Sequence, residues 1–265
     1  MSLIEFDTKD GIGTITVSDP ERKNALTLAG RKKIGEIFLE VEANPKVRCV
    51  VLTGANECFI AGGDVKSFEE KLLKDKKKDL EVEFLLRVES LNSLIKTMQR
   101  IEVPIIAKVD GPAAGLGVSL ALACDLVVAS DRAVFYMAYN KIGLTPDGGL
   151  TYSLPRAVGV KKAMQMALLG EGLAAKEALA CGLINYVIDP AKLHAWTDKL
   201  ALKLAHGPTF ALGKTKRLIY QSLERGHAEQ LQAEAEAFSK AVATEDFHNG
   251  VLAFCQKRRP DFMGH

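Results

Sequence analysis

The chain has 265 residues, 48% of them hydrophobic, which is enough for a sizeable core in one large or two small domains. Its 35 Lys and Arg residues against 33 Asp and Glu residues leave a formal charge of +2, so the charge gives no indication of a nucleic-acid partner. Its five cysteines are widely spaced, without a CxxC or histidine-rich pattern, which argues against a disulfide framework or a metal site and favours a reduced, cytoplasmic protein.

The N-terminal part alternates β-branched runs with stretches of helical period, as is typical of an α/β protein. Residues 13–17 predict a strand, and residues 47–52 predict a second, buried strand. Between them, apolar residues spaced as on one helix face predict a helix that ends at Asn44 and Pro45; these are Ile34, Ile37, Phe38 and Val41. The charged residues 1–10 lack the apolar run of a signal peptide, and no stretch suits a membrane span.

The lysine-rich segment 69–83 interrupts this pattern, and we interpret it as a solvated helix face or a mobile segment rather than a phosphate-binding patch. A helical stripe follows and runs to Pro104; it consists of Val88, Leu91, Ile95 and Met98. Residues 105–109 and 125–129 predict strands, and the small apolar run 118–124 between them predicts a helix. From about Ala191 onward the chain is rich in Ala, Leu, Glu and Lys, and is predicted to be mostly helical.

Two glycine-containing loops, residues 61–64 and 114–117, each follow a predicted strand and precede helical sequence. Glycine permits a close approach of the backbone to a ligand, and helix N-termini expose N–H groups that favour negative charge. Two such groups converging on one point would form an oxyanion hole. Spacing alone favours ordinary turns, and a third glycine-rich turn lies at residues 142–149.

Three other motifs fit these residues poorly. The loop at Gly115 lacks the third glycine of a dinucleotide-binding fingerprint, and Lys214 lacks the preceding glycine of a phosphate-binding loop, where Pro208 stands. Ser119 has the outline of a nucleophile elbow, with Ala121 in place of the last glycine. A serine hydrolase is therefore disfavoured.

Taken in order, several segments resemble the crotonase family, also called the enoyl-CoA hydratase/isomerase superfamily, over nearly the whole chain. The matching segments are residues 22–26, 59–66, 104–107, 111–117, 123–125, 143–149 and 254–258. The resemblance implies a crotonase-like α/β spiral of repeated ββα units in residues 1–195. It also implies a helical C-terminal extension, residues 196–265, that supports homotrimers or dimers of trimers and completes part of the CoA site.

The resemblance further implies an acyl-CoA thioester substrate whose carbonyl oxygen is held by the backbone N–H groups of Gly63 and Leu116. Positions that match the CoA groove are Arg22, Ala25, Ala61, Gly62, Asp64, Val65 and Lys66, with Arg22 and Lys66 near the phosphates. Phe254 and Lys257 match tail positions that approach CoA, often from a neighbouring subunit. No metal, redox cofactor, nucleic-acid partner or membrane is implied, and CoA enters as part of the substrate.

The resemblance also narrows the chemistry. The two glutamates of typical hydratases match Ser119 and Tyr139, which cannot replace a carboxylate pair that activates water at neutral pH. Asp147, in a Pro-Asp-Gly-Gly turn, matches the carboxylate of Δ3,Δ2-enoyl-CoA isomerases, including those of phenylacetate catabolism. We therefore predict an isomerase of fatty acid or β-oxidation type in which Asp147 moves the proton and an apolar pocket strengthens it as a base, provided no cation lies beside it. Tyr139 is predicted to orient substrate or solvent or to form a pocket wall.

Alternatives remain at this point. Asp147 could be a turn former only, since Pro-Asp-Gly is favourable turn chemistry. Hydration is the second enzymatic hypothesis, because some relatives catalyse hydration with a single carboxylate. An aryl-CoA dehalogenase is weakened by the absence of any histidine before His194. A non-catalytic acyl-CoA-binding protein of the same fold is opposed by the presence of both glycine loops and Asp147. Asp125 is predicted to be structural, and Ser119 to be a packing residue or a small hydrogen-bonding group rather than a nucleophile. Asp64 is predicted to fix the first glycine loop through backbone hydrogen bonds.

Overall fold

The computed structural model describes residues 3–74 and 77–265, which form two sheets surrounded by helices. Six strands form the larger sheet in the order β1-β2-β3-β4-β6-β9, in which only β1 and β2 are antiparallel. The smaller sheet has the order β5-β7-β8. The strands are β1 Leu3–Lys9, β2 Ile12–Ser18, β3 Cys49–Gly54, β4 Ile105–Val109, β5 Pro112–Ala114, β6 Leu126–Ser130, β7 Val134–Tyr136, β8 Gly172–Ala174 and β9 Tyr186–Ile188.

Successive strands enter different sheets, which gives the chain its spiral path. β4 joins the larger sheet and β5 the smaller one before a helix follows, and β6 and β7 repeat this sequence of steps. Strands of the larger sheet such as β3 and β4 are almost wholly buried and therefore read as continuous apolar runs. The predicted α/β spiral of ββα units is confirmed.

Ten α-helices surround the sheets in the described parts of the chain. They are α1 Leu28–Ala43, α2 Val65–Lys74, α3 Lys77–Arg100, α4 Leu116–Ala123, α5 Leu150–Leu169, α6 Ala175–Ala180, α7 Pro190–Ala205, α8 Thr209–Ser222, α9 His227–Val242 and α10 Glu245–Cys255. α5 is interrupted at Gly159, whose backbone is not helical. Short 3-10 helices occupy Pro20–Arg22 and Tyr139–Ile142. The helical C-terminal region is confirmed.

The boundary predicted between residues 195 and 196 falls inside α7. This helix contacts β2, β3, β4, β6 and β9, so the first part of the C-terminal region covers the larger sheet. The division of the chain into a core and an extension stays a prediction, but its boundary lies within a packed helix.

The predicted helix after residue 34 begins earlier, at Leu28, because the Thr27 side chain accepts the Gly30 N–H and caps the first turn. The lysine-rich segment 69–83 is helical on both sides of residues 75 and 76, which lie outside the described residues, as do the side chains of residues 77 and 78. Its exposed Lys74 fits the predicted solvated face. It contributes Glu81 to the lining of a cavity described below, and Phe84, the residue that follows the segment, lines the same cavity.

Asp125 has the predicted structural role. Its carboxylate accepts the Ile105 N–H at 2.7 Å and lies 3.0 Å from the Lys216 ammonium, which is buried. Lys216 also donates to the Met98 carbonyl at 2.8 Å, so α8 is fastened to the end of α3. Removing one partner of such a pair leaves an uncompensated buried charge, so the fold depends on keeping both residues.

Among the described residues, no helix combines the length and the apolar character required to cross a lipid bilayer.

Candidate active site

The main cavity has a volume of about 790 Å³ and lies where the three glycine-rich segments meet. Its walls are largely apolar and include Val65, Phe68, Phe84, Leu85, Val88 and Leu144. Of the residues predicted to form the site, it is lined by Ala61, Gly62, Gly63, Val65, Leu116, Tyr139 and Asp147. Residues far apart in the sequence thus converge on one pocket, as cofactor and substrate sites commonly require.

The first glycine loop, residues 61–64, and the segment before it are hydrogen-bonded to the turn that precedes α1. Leu26 donates its N–H to the Gly62 carbonyl at 2.9 Å, and the buried Asn24 amide donates to the Cys58 carbonyl at 2.7 Å. Asp64 begins the helix that follows, since its carbonyl accepts the Ser67 hydroxyl at 2.7 Å. Gly63 therefore lies between two hydrogen-bonded segments, and the Asp64 carboxylate accepts the Ser67 N–H at 3.4 Å at the start of α2.

The second glycine loop leads directly into α4. Leu116 is the first residue of this helix, and the first N–H groups of a helix have no partner within it. The Ala114 N–H donates to the Ile60 carbonyl at 3.0 Å, which ties the second loop to the strand-like segment before the first one. Gly63 and Leu116, the two expected oxyanion donors, consequently belong to one hydrogen-bonded unit.

Asp147 lies in the turn before α5 and lines the cavity. Its carbonyl accepts the Leu150 N–H at 3.2 Å, so the residue forms the turn that its Pro-Asp-Gly context predicts. Its carboxylate also accepts a hydrogen bond of 2.7 Å from the Tyr139 hydroxyl. Burial and the nearby Asp147 charge raise the pKa of Tyr139, so the phenol keeps its proton and remains a donor.

Ser119 completes this group from inside α4. Its hydroxyl donates to the Asp147 carbonyl at 3.1 Å and lies 3.3 Å from the Tyr139 hydroxyl. No histidine lines the cavity among the described residues, so Ser119 lacks the base that a serine nucleophile needs. The prediction that Ser119 is a small hydrogen-bonding residue is confirmed.

Arg31 is a cavity residue that the sequence reading missed. It is buried, at 6% exposure, and its guanidinium Nη2 lies 3.1 Å from the point that a Gly63 Cβ would occupy. Burial lowers the pKa of Arg31, and the Asp147 charge opposes this shift. The proviso that no cation lies near Asp147 is therefore not met. One feature of the sequence could have indicated that Arg31 is buried. It lies three residues before Ile34, on the apolar face of α1.

The other predicted binding residues lie outside the cavity wall. Arg22 pairs with Asp19 at 3.5 Å, Ala25 is buried, Lys66 is exposed at the start of α2, and Asp64 caps that helix. Phe254, at 86% exposure, lies on α10, and Lys257 follows that helix. The structure does not bring these residues to Asp147 within one chain.

Comparison with known proteins gives a consistent result. The family model described as enoyl-CoA hydratase/isomerase matches residues 7–265. The chain is 36% identical over 268 residues to 1,2-epoxyphenylacetyl-CoA isomerase from Escherichia coli (strain K12), covering 100% of this chain and 99% of that protein. It is 33% identical over 264 residues to 2,3-dehydroadipyl-CoA hydratase from the same organism, with both chains fully covered. The crystal structure of an enoyl-CoA hydratase from Polaromonas sp. JS666 superimposes with a TM-score of 0.91 at 32% identity, covering 98% of this chain and 99% of that one.

Proposed function

The chain belongs to the enoyl-CoA hydratase/isomerase family, and from this premise we propose that it is an isomerase that moves the double bond of a 3-enoyl-CoA to position 2. The observation that carries the proposal is the position of Asp147. It lines the same cavity as Gly63 and Leu116, and among the described residues it is the only carboxylate there that accepts a hydrogen bond from a partly buried phenol.

The proposed reaction needs one base and one anion-stabilising site. The Asp147 carboxylate removes a proton from C2, and the electron pair of that C–H bond moves toward the thioester oxygen to form a dienolate. The N–H groups of Gly63 and Leu116 stabilise the negative oxygen. Asp147 then returns the proton at C4, and the double bond forms between C2 and C3. No electron leaves the substrate, so the reaction requires no redox carrier.

Tyr139 supports isomerisation over hydration. It stands where a hydratase of this family would present a glutamate, and its proton is donated to Asp147. A phenol held in this way cannot take a proton from water at neutral pH, because its pKa is raised. Ser119, at the other glutamate position, donates to the Asp147 backbone. Neither residue is a base that could activate a water molecule.

Hydration of 2-enoyl-CoA is the second candidate, and it is favoured by the full-length similarity to a protein named as a hydratase. In that reaction Asp147 alone would have to activate water. The dehalogenase reading receives no support from the cavity, which lacks a histidine among the described residues.

Purified protein should be incubated separately with 3-hexenoyl-CoA and 2-hexenoyl-CoA, and the products separated by chromatography. We expect 2-hexenoyl-CoA to form from the first substrate much faster than 3-hydroxyhexanoyl-CoA forms from the second. Predominant formation of the hydroxyacyl product would favour the hydratase. Binding of CoA thioesters without turnover of either substrate would indicate a non-catalytic protein.

Tyr139→Phe should lower kcat/KM for isomerisation by about tenfold, because the Asp147 carboxylate loses a charge-assisted hydrogen bond. KM should change much less than kcat, because the hydroxyl contacts the base and not CoA. Steady-state kinetics with 3-hexenoyl-CoA measure both constants. Tyr152→Phe is a matched control, because this exposed hydroxyl makes only a 3.4 Å contact with the Leu223 carbonyl. A wild-type kcat in Tyr139→Phe would remove its proposed positioning role.

We also propose that the protein works as a homotrimer or a dimer of trimers. The C-terminal helices expose large apolar side chains, including Leu231, Phe238 and Phe254 at 53%, 72% and 86%. Such a surface suits burial against another copy. Phe254 and Lys257 would then approach the CoA of a neighbouring subunit, while Arg22 and Lys66 approach it from the same chain. Light scattering coupled to size-exclusion chromatography should give three or six chain masses, and a monomer would contradict the proposal.

The five thiols are free and three of them are buried, which supports a reducing, cytoplasmic location as part of this proposal. Burial raises the pKa of Cys49 to about 12, so that thiol is inert toward oxidants that attack thiolates.

A further inference from the structure

Arg31 is a buried cation in a cavity whose walls are mainly apolar. No acidic group among the described residues pairs with it within 4.0 Å, and its Nε is buried without a hydrogen-bond partner. Its Nη1 makes only a 3.4 Å contact with the Arg87 carbonyl. A guanidinium carries five N–H donors, so most of its capacity to bind an acceptor is unused.

The charges around the cavity do not explain why Arg31 is buried there. Among the residues that the structure describes, the cavity is lined by three cationic side chains and two acidic ones, namely Arg31, Arg87, Lys141, Glu81 and Asp147. Arg87 is already bound by Glu83 at 2.7 Å and lies over the Phe68 and Phe84 rings. Lys141 and Glu81 are exposed. Arg31 is the buried cation of this wall, and the partly buried Asp147, with which it interacts only through space, also faces Tyr139.

A purely hydrocarbon acyl chain fits this arrangement poorly. Filling the cavity with methylene groups would exclude water from the guanidinium without supplying acceptors, which is costly for a buried charge. A carboxylate on the acyl group would accept two parallel N–H bonds from the guanidinium, which is the geometry that arginine favours. Arg31 would also screen that carboxylate from Asp147.

The position of Arg31 sets the distance of this group from the thioester. Its Nη2 lies close to Gly63, whose N–H is proposed to hold the thioester oxygen, so the two binding points are separated by only a few carbon atoms. We propose that this site takes short acyl-CoA substrates whose acyl group ends in a carboxylate, and that Arg31 is the residue that recognises that carboxylate. The inference rests on the proposed placement of the thioester at Gly63, but not on the isomerase chemistry.

Binding of saturated acyl-CoA pairs tests this inference, because saturated chains cannot be isomerised. Calorimetry should compare glutaryl-CoA with pentanoyl-CoA and adipoyl-CoA with hexanoyl-CoA, so that each pair matches in carbon number. We expect the carboxylated member of at least one pair to bind about tenfold or more tightly than its partner. Equal binding within both pairs, or tighter binding of the hydrocarbon members, would overturn the proposal.

Substitution of Arg31 tests whether the preference for a carboxylated thioester depends on this side chain. Arg31→Met should weaken binding of the preferred carboxylated thioester by about 10- to 100-fold while leaving the hydrocarbon partner unchanged or bound more tightly. Arg31→Lys should retain part of the preference, because it keeps the charge without the two-pronged geometry. Equal weakening of both members of a pair would overturn the assignment and place Arg31 with the enolate or the fold.

Arg100→Met is the matched control. Arg100 also joins α3 to α1, through Glu42, but it is half-exposed and lies away from the cavity. This variant should leave the discrimination within each pair unchanged, and thermal melting of all three variants separates binding effects from loss of the fold. A wild type that prefers the carboxylated ligand but does not isomerise 3-enoyl-CoA would contradict the proposed function alone.

Discussion

Asp147→Asn should lower kcat for isomerisation of a 3-enoyl-CoA by about 10²- to 10⁴-fold, the usual contribution of a general acid–base residue. Asparagine has nearly the same shape and keeps an acceptor oxygen for Tyr139, and the backbone bond to Leu150 does not involve the side chain. The substitution therefore removes the base while preserving the turn. KM should change much less than kcat, because the carboxylate acts on C2 and C4 rather than on CoA.

Two measurements make this prediction specific. The rise in absorbance of the conjugated thioester follows isomerisation, and mass spectrometry in heavy water follows exchange at C2, which should fall in parallel. Asp198→Asn is a suitable control, since Asp198 is half-exposed on α7 and lies outside the cavity. If Asp147→Asn isomerised at the wild-type rate, Asp147 would be reduced to a turn former and the base would have to be sought elsewhere.

Gly117→Ala should be nearly as damaging, although it alters no group that reacts. A Cβ at residue 117 would lie 2.0 Å from the Ile60 carbonyl oxygen, which is backbone and cannot turn aside. That oxygen accepts the Ala114 N–H, the bond that ties the two glycine loops together. Either the start of α4 or the first loop must shift, and the N–H of Leu116 shifts with it. Loss of one oxyanion donor typically costs about 10²- to 10³-fold in kcat.

Stability must be followed in the same experiment, because overpacking of this kind costs about 1–3 kcal/mol. Urea unfolding gives that loss, and rates measured well below the melting temperature give the catalytic loss in folded protein. Gly35→Ala is the matched control: nothing lies within 4 Å of its added Cβ, and Gly35 is inside α1, so the variant should be as stable as the wild type or about 0.5–1 kcal/mol more stable. Wild-type activity in folded Gly117→Ala would show that Leu116 is not a donor.

The strands β3, β4 and β6 of the larger sheet could be predicted from the sequence because each is an almost continuous buried run. Residues 105–109 match β4 residue for residue, and the prediction for 47–52 differs from β3 by two residues at each end. The strands β5, β7, β8 and β9 have three residues each, too few to show a period, and their pairing is decided by residues distant in sequence. β1 is mostly exposed, so its apolar pattern is weak.

Site residues that belong to a sequence motif could be predicted, whereas those whose role depends on tertiary packing could not. Gly63, Leu116 and Asp147 lie in matching motifs, and the structure places all three on one cavity. The bond from Tyr139 to Asp147 depends on how a 3-10 helix meets the following turn, which no local pattern specifies. Arg31 was missed because a helical stripe is read through its apolar members, although a charge on that stripe is the informative exception.

The hydrogen bond between Ala114 and Ile60 has a consequence for how such a protein can change its chemistry over evolutionary time. The groups proposed to stabilise the enolate belong to the main chain, so a change of side chain at Leu116 leaves its N–H in place. The proposed base is a side chain and can be exchanged by a single codon. On this scaffold, reactions that share an enolate intermediate can therefore differ by few substitutions. A new activity can arise while every intermediate variant still folds.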